Sequence, residues 1–104
     1  MEGEFEKYKQ EFLQLSESLN IQINAVRGID CFLPFFTRIK DDSSILIIKL
    51  DGEREGYIYT LMISGKLLGQ GEYIRTETSD LEGGLSYMFV EYAKIVWKWK
   101  PTGR

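Results

Sequence analysis

The feature that most constrains this chain is its C-terminal run, where Leu81, Leu85, Met88, Tyr92, Ile95 and Trp99 recur at helical spacing, widened by Phe89 and Val96. A stripe that broad must be covered, and the rest of the chain has to supply the cover. The helix is predicted to open at Thr78-Ser79-Asp80-Leu81-Glu82, with Ser79 as its cap and Glu82 closing a capping box. It stops before Pro101, and Lys94, Lys98 and Lys100 complement its negative end. Gly83 and Gly84 each cost about 1 kcal/mol relative to alanine in a helix, so close packing or an approaching partner has to account for them.

A second amphipathic helix is predicted between Glu4 and Leu19, where Phe5, Tyr8, Phe12, Leu15 and Leu19 form one stripe, and Asn20 ends it. Ile21, Ile23 and Ala25 then alternate with Gln22 and Asn24, which predicts a short strand. The stretch Cys31 to Ile39 carries Pro34, whose missing backbone donor argues for an edge strand or an irregular segment. After a polar turn at Asp41-Asp42-Ser43-Ser44, Ile45 to Leu50 reads as a mostly buried strand rich in β-branched residues. A charged loop from Asp51 to Gly56 leads to a strand over Tyr57 to Ser64, with Tyr57, Tyr59, Leu61 and Ile63 on one face and Ile58 and Met62 on the other. Gly65-Lys66 connects to Leu67 to Thr76, where Gly69 and Gly71 suggest a bulge, and a three-strand meander results. Runs of strands flanked by helices indicate an α+β fold: an antiparallel sheet of four or five strands flanked by an N-terminal and a long C-terminal helix, both packed on one sheet face.

A chain of 104 residues with 43% apolar and 28% charged composition suffices for one domain over residues 1–104, with a single core. Its apolar runs fall far short of a bilayer span, and Met1-Glu2-Gly3-Glu4 is acidic where a signal peptide is basic. One cysteine, Cys31, forms no internal disulfide, and its neighbours Ile29, Phe32 and Leu33 suggest a buried thiol in a reducing compartment. A cytoplasmic protein without membrane contact is expected. Residues 1–56 carry 11 acids against 7 bases, and residues 57–104 carry 5 against 6, so the first half is the acidic one. That balance disfavours direct nucleic-acid binding, which needs clustered Lys and Arg, and favours a basic protein as partner.

The absence of histidine removes the usual general base, the commonest metal ligand and every histidine-dependent triad. Cys31 then lacks an activating partner and should be an inert thiol with a raised pKa. Asp51, Glu53 and Glu55 alternate in a glycine-bounded loop, but without the ligand series of a calcium site they read as a solvated turn. Gly69-Gln70-Gly71 lacks the third glycine and the following helix of a phosphate loop. Glu72, Glu77, Asp80 and Glu82 flank Arg75, and with no cleft or metal partner evident they read as a charged surface. In Val96-Trp97-Lys98-Trp99-Lys100, helical spacing puts Trp99 on the core stripe and Trp97 on another face, as an interface anchor. No catalytic residue, metal or cofactor is expected.

From Gly71 to Leu81 and along the helix through Tyr92, the chain resembles small bacterial immunity proteins of polymorphic and contact-dependent toxin systems. The resemblance implies a cytoplasmic antidote that binds one cognate toxin domain, often a basic nuclease, and covers its active site. It carries no residue role across. The residues expected to meet such a partner are Asp41, Asp42, Asp51, Glu53 and Glu55, joined by Glu72, Glu77 and Trp97, because an acidic surface steers a basic protein into contact. The chain is expected to be a monomer or a weak homodimer. A small homodimeric adaptor is the alternative, and an enzyme or nucleotide-binding domain with an unfamiliar site is third.

Overall fold

The N-terminal stripe folds as its spacing predicts, with Phe5, Phe12 and Leu15 buried, and the element it forms is α1 (Glu6–Ser18). A computed structural model of the protein describes residues 5–101, so the expected start at Glu4 and the acidic Met1-Glu2-Gly3-Glu4 lie outside the described residues. Asn20 ends the helix in the left-handed region at φ 63°. Its N–H donates to Glu17 O, and the next N–H, of Ile21, donates to Ser16 O, so two orphan carbonyls of the last turn are satisfied.

Two of the expected strands are absent. Over residues 21–24 the alternation is real as burial, with Ile21 and Ile23 half-buried and Gln22 and Asn24 exposed, but Ala25 is exposed as well, no neighbouring strand among the described residues offers a ladder, and the segment is irregular. Cys31 to Ile39 is not a strand either: a 3-10 turn (Asp30–Phe32) runs into α2 (Leu33–Asp41). Pro34 sits in the first turn of α2, where its missing N–H has no helical partner to lose. Phe32, Phe35 and Ile39, at steps of three and four, are the buried face, and Phe32 and Phe35 pack on Phe12 with ring centroids 4.8 and 4.7 Å away. Cys31 is half-buried rather than enclosed, with its Sγ 3.6 Å from Gly28 O.

The meander forms, as three strands: β1 (Ile45–Leu50), β2 (Tyr59–Ser64) and β3 (Tyr73–Thr78), antiparallel in the order β1-β2-β3. The fold is therefore α+β with a three-stranded sheet. β2 starts at Tyr59 rather than Tyr57, which is itself left-handed at φ 53°. The glycines at 69 and 71 lie in the turn before β3 instead of in a bulge, both with positive φ. Leu61, Ile63 and Ile74 face the core; in register with them on the same face are Leu46 and Ile48 of β1.

α3 (Leu81–Val96) lies across β2 and β3, α1 packs chiefly against α3, and α2 lies against β1. Because α3 is covered by the sheet on one side and by α1 on the other, Leu85, Met88, Phe89, Val90, Tyr92 and Ala93 are all buried, a wider face than one stripe provides. Its cap is Asp80, extended at φ −106°, ψ 92°, whose Oδ1 accepts the Gly83 N–H at 2.9 Å. Ser79 and Glu82 do other work: Ser79 Oγ accepts the Tyr57 N–H, and Glu82 accepts the Gly28 N–H. Gly84 is needed for contact, since a Cβ there would stand 2.7 Å from Leu61 Cδ1 and 2.8 Å from Thr78 Cγ2. The helix ends at Val96, where Trp97 caps it and left-handed Lys98 turns the chain back, leaving Ile95 exposed and Trp99 packed on the core from outside the helix.

β1 is the largest departure from the expected burial. Among the described residues the sheet has three strands, so β1 is an edge; α3 packs chiefly on β2 and β3, and Ile45, Ile47, Ile48 and Leu50 are exposed.

Candidate protein-docking site

The loop from β1 to β2 is held by short-range interactions that its own sequence supplies. Asp51 Oδ1 accepts the Glu53 N–H at 3.0 Å, and Asp51 Oδ2 stands 3.6 Å from Arg54 Nε. Arg54 then reaches across the sheet, donating from Nη1 to Tyr57 O at 2.9 Å and to Glu77 Oε1 at 3.1 Å. Glu77 also accepts from Arg75 Nη2 at 2.6 Å, and these two hydrogen-bonded guanidinium groups hold its carboxyl below the usual carboxylate range. Tyr57, whose N–H is taken by Ser79 Oγ, is pinned from both sides along its backbone, and the residue is 56% exposed.

This arrangement gathers Asp51, Glu53, Glu55 and Glu77 at one end of the sheet. Asp51 and Glu77 are spent on Arg54, whereas Glu53 and Glu55 are exposed and enter no ion pair among the described residues. The result is a loop braced by Arg54 that presents one exposed aromatic residue and two carboxylates without an ion-pair partner among the described residues. Such a surface can engage a cationic protein, because the ring supplies apolar contact area and the carboxylates supply steering charge.

The other expected contact residues lie elsewhere. Asp41, Asp42 and Glu72 belong to the opposite end of the sheet, where β1 begins and the β2–β3 turn closes, roughly 20 Å away at about 3.3 Å per strand residue. Asp42 is a structural hub: its Oδ2 accepts from Tyr92 Oη and from Trp97 Nε1, both at 2.9 Å. Ser44 Oγ lies 2.7 Å from the same tyrosine oxygen. Burial first, and the neighbouring Asp42 carboxylate next among the raising effects, push the Tyr92 hydroxyl up to about 12, against a lowering contribution from Ser44. Trp97, expected as a protruding anchor, is half-buried, edge-on to Tyr92 and under the Arg38 guanidinium at 5.9 Å. Asp41 and Glu72 are exposed, and Asp41 pairs with Lys40 at 3.5 Å.

Burial also raises the Cys31 thiol above its ordinary value. Among the described residues no group of three acidic or thiol side chains converges to hold a metal ion, and no helix is long and apolar enough to cross a membrane.

Sequence reasoning missed Arg54 as the organiser of this end. Its i,i+3 spacing to Asp51 was readable, but the tie to Glu77 depends on strand register and leaves no local trace. The chain matches no protein-family profile, no curated protein and no solved structure.

Proposed function

We propose that this chain is a protein-binding domain, and specifically an immunity-type antidote that captures one basic toxin domain and covers its active site. The observation that carries the reading is the β1–β2 loop, in which Arg54 fixes the backbone while Glu53, Glu55 and Tyr57 remain exposed. A rigid loop loses little conformational freedom on binding, so its contacts convert efficiently into affinity. The lack of histidine and the acidic balance of the first half also favour capture over catalysis. Asp41 and Glu72, at the far end of the sheet, extend the acidic surface and contribute to long-range steering.

The test is functional. Co-expression with the product of the adjacent open reading frame should protect cells from that product's toxicity and give a complex that purifies intact. Reversing Glu53 and Glu55 together to lysine should slow association by about tenfold or more at low salt and flatten its salt dependence, with folding unchanged, because exposed charges act mainly on the encounter rate. No complex and no protection would sink the reading. An association rate unaltered by the double reversal would remove the loop from it.

A further inference from the structure

β1 is an edge without a guard. The Asp51 N–H donates to Ile58 O at 2.8 Å, and because hydrogen-bonding direction alternates along an antiparallel strand, Ile45, Ile47 and Lys49 bond to β2. The N–H and C=O groups of Leu46, Ile48 and Leu50 therefore point away from the sheet at its open side. On the outer face Ile45 is 57% exposed, and on the helix-bearing face Leu50 is 62% exposed. Lys49 is the strand's one charge. A long apolar edge of this kind is a template for another strand.

The bare half of β1 and the covered half differ in a way that specifies the occupant. α2 shelters only the beginning of the strand, where Phe36, Ile39, Leu46 and Ile48, with Lys40 and Ser44, line a groove between helix and strand. Leu50, at the other end of the same face, has no helix over it. We infer that β1 pairs antiparallel with β1 of a second copy of this chain about a two-fold axis at Ile48, joining two three-stranded sheets into one of six strands.

In that register Leu46 of each copy stands opposite Leu50 of the other, so the exposed Leu50 enters the groove beneath its partner's α2 and each helix covers what the other copy leaves bare. All the outward-facing backbone groups of Leu46, Ile48 and Leu50 find partners. A two-fold axis perpendicular to the sheet also keeps helix-bearing face with helix-bearing face, which the pleat requires. Shifting the axis to Lys49 would set two ammonium groups directly opposite each other, and shifting it to Ile47 leaves Leu50 facing Ser44 instead of Leu46. The β1–β2 loops of the two copies emerge at opposite ends of the joint, each running past the other copy's Ile45, and Leu50→Lys tests the pairing without altering a loop residue.

Sedimentation equilibrium of the full chain over a concentration series tests the pairing. The expected result is a mass that rises to twice that of one chain, and a return to single-chain mass in Leu50→Lys, whose site is outside the core. Ile48→Pro should act in the same way, since the N–H it removes faces the open edge and the β1–β2 ladder does not use it. Circular dichroism checks that each variant keeps its fold, and Leu50→Lys decides the matter if the proline variant does not. Single-chain mass at every concentration overturns the inference, as does a dimer that survives Leu50→Lys unchanged.

Discussion

The two edges of the sheet receive opposite treatment. On β3 the backbone groups facing outward belong to Tyr73, Arg75 and Glu77, and the last two are charged, paired at 2.6 Å and tied through Arg54 to the neighbouring loop. On β1 the corresponding groups belong to Leu46, Ile48 and Leu50. Charged side chains are a common device for keeping an edge from pairing with another chain. Since β3 carries that device, the apolar character of β1 is local and not a property of the sheet, which is what a strand meant for pairing requires.

The largest effects should separate the middle strand from the β1 edge. Leu61→Ala in β2, and likewise Leu85→Ala and Tyr92→Ala in α3, remove fully buried side chains and should cost about 2–5 kcal/mol in urea unfolding. Ile45→Ala should stay within about 0.5 kcal/mol, measured at concentrations where the chain is monomeric. Equal losses at Leu61 and Ile45 would show that β1 is covered within one chain.

Stripping the guard from β3 should come next. Arg75→Ile with Glu77→Val gives the molecule two apolar edges, so assembly is expected to run past the dimer into open chains, visible as a rising mass by light scattering. A variant that assembles no further than the parent would mean that the charges on β3 are not what keeps it single.

A smaller effect concerns the corner that anchors β1. Tyr92 binds Asp42 and lies beside Ser44, and burial pushes its hydroxyl up to about 12; Tyr8, between α1 and α3, is raised to about 12 by burial and then by Glu91. A folded pKa above the unfolded value of 10 gives stability that is fully present below about pH 10 and lost as pH rises through about 12. Tyr92→Phe should lower stability by about 1 kcal/mol and reduce that alkaline loss, as read from unfolding midpoints across pH. An unchanged alkaline limb would place the titration elsewhere. The smallest effect is at the guard itself: Glu77 has a lowered carboxyl pKa, so its contribution is present above the usual carboxylate range and fades as pH falls through the folded value. Glu77→Gln should flatten that acid limb slightly.

What could be read from the sequence follows from how far each signal reaches. The stripes of α1 and α3 and the three meander strands are periodic over many residues, and all five elements formed. Ile21 to Ala25 failed because alternation reports a one-sided burial and not a hydrogen-bonded neighbour. In α2, Pro34 was weighed as a strand breaker although Phe32, Phe35 and Ile39 already had helical spacing around it. The exposure of β1 was hidden for a different reason: Ile45 to Leu50 has the composition of a central strand, and only the number of strands and the path of α3 make it an edge. In the site, the loop acids were legible as a charged turn, while the diversion of Asp42 and Trp97 into a buried-side network with Tyr92 rests on contacts some 50 residues apart.

The contrast between the edges is tested most directly by residue-resolved amide hydrogen exchange at increasing protein concentration. The account predicts that the amides of Leu46, Ile48 and Leu50 become progressively protected, while those of Tyr73, Arg75 and Glu77 exchange rapidly throughout. Rapid, concentration-independent exchange at the three β1 amides, or protection that develops on β3 instead, would contradict it.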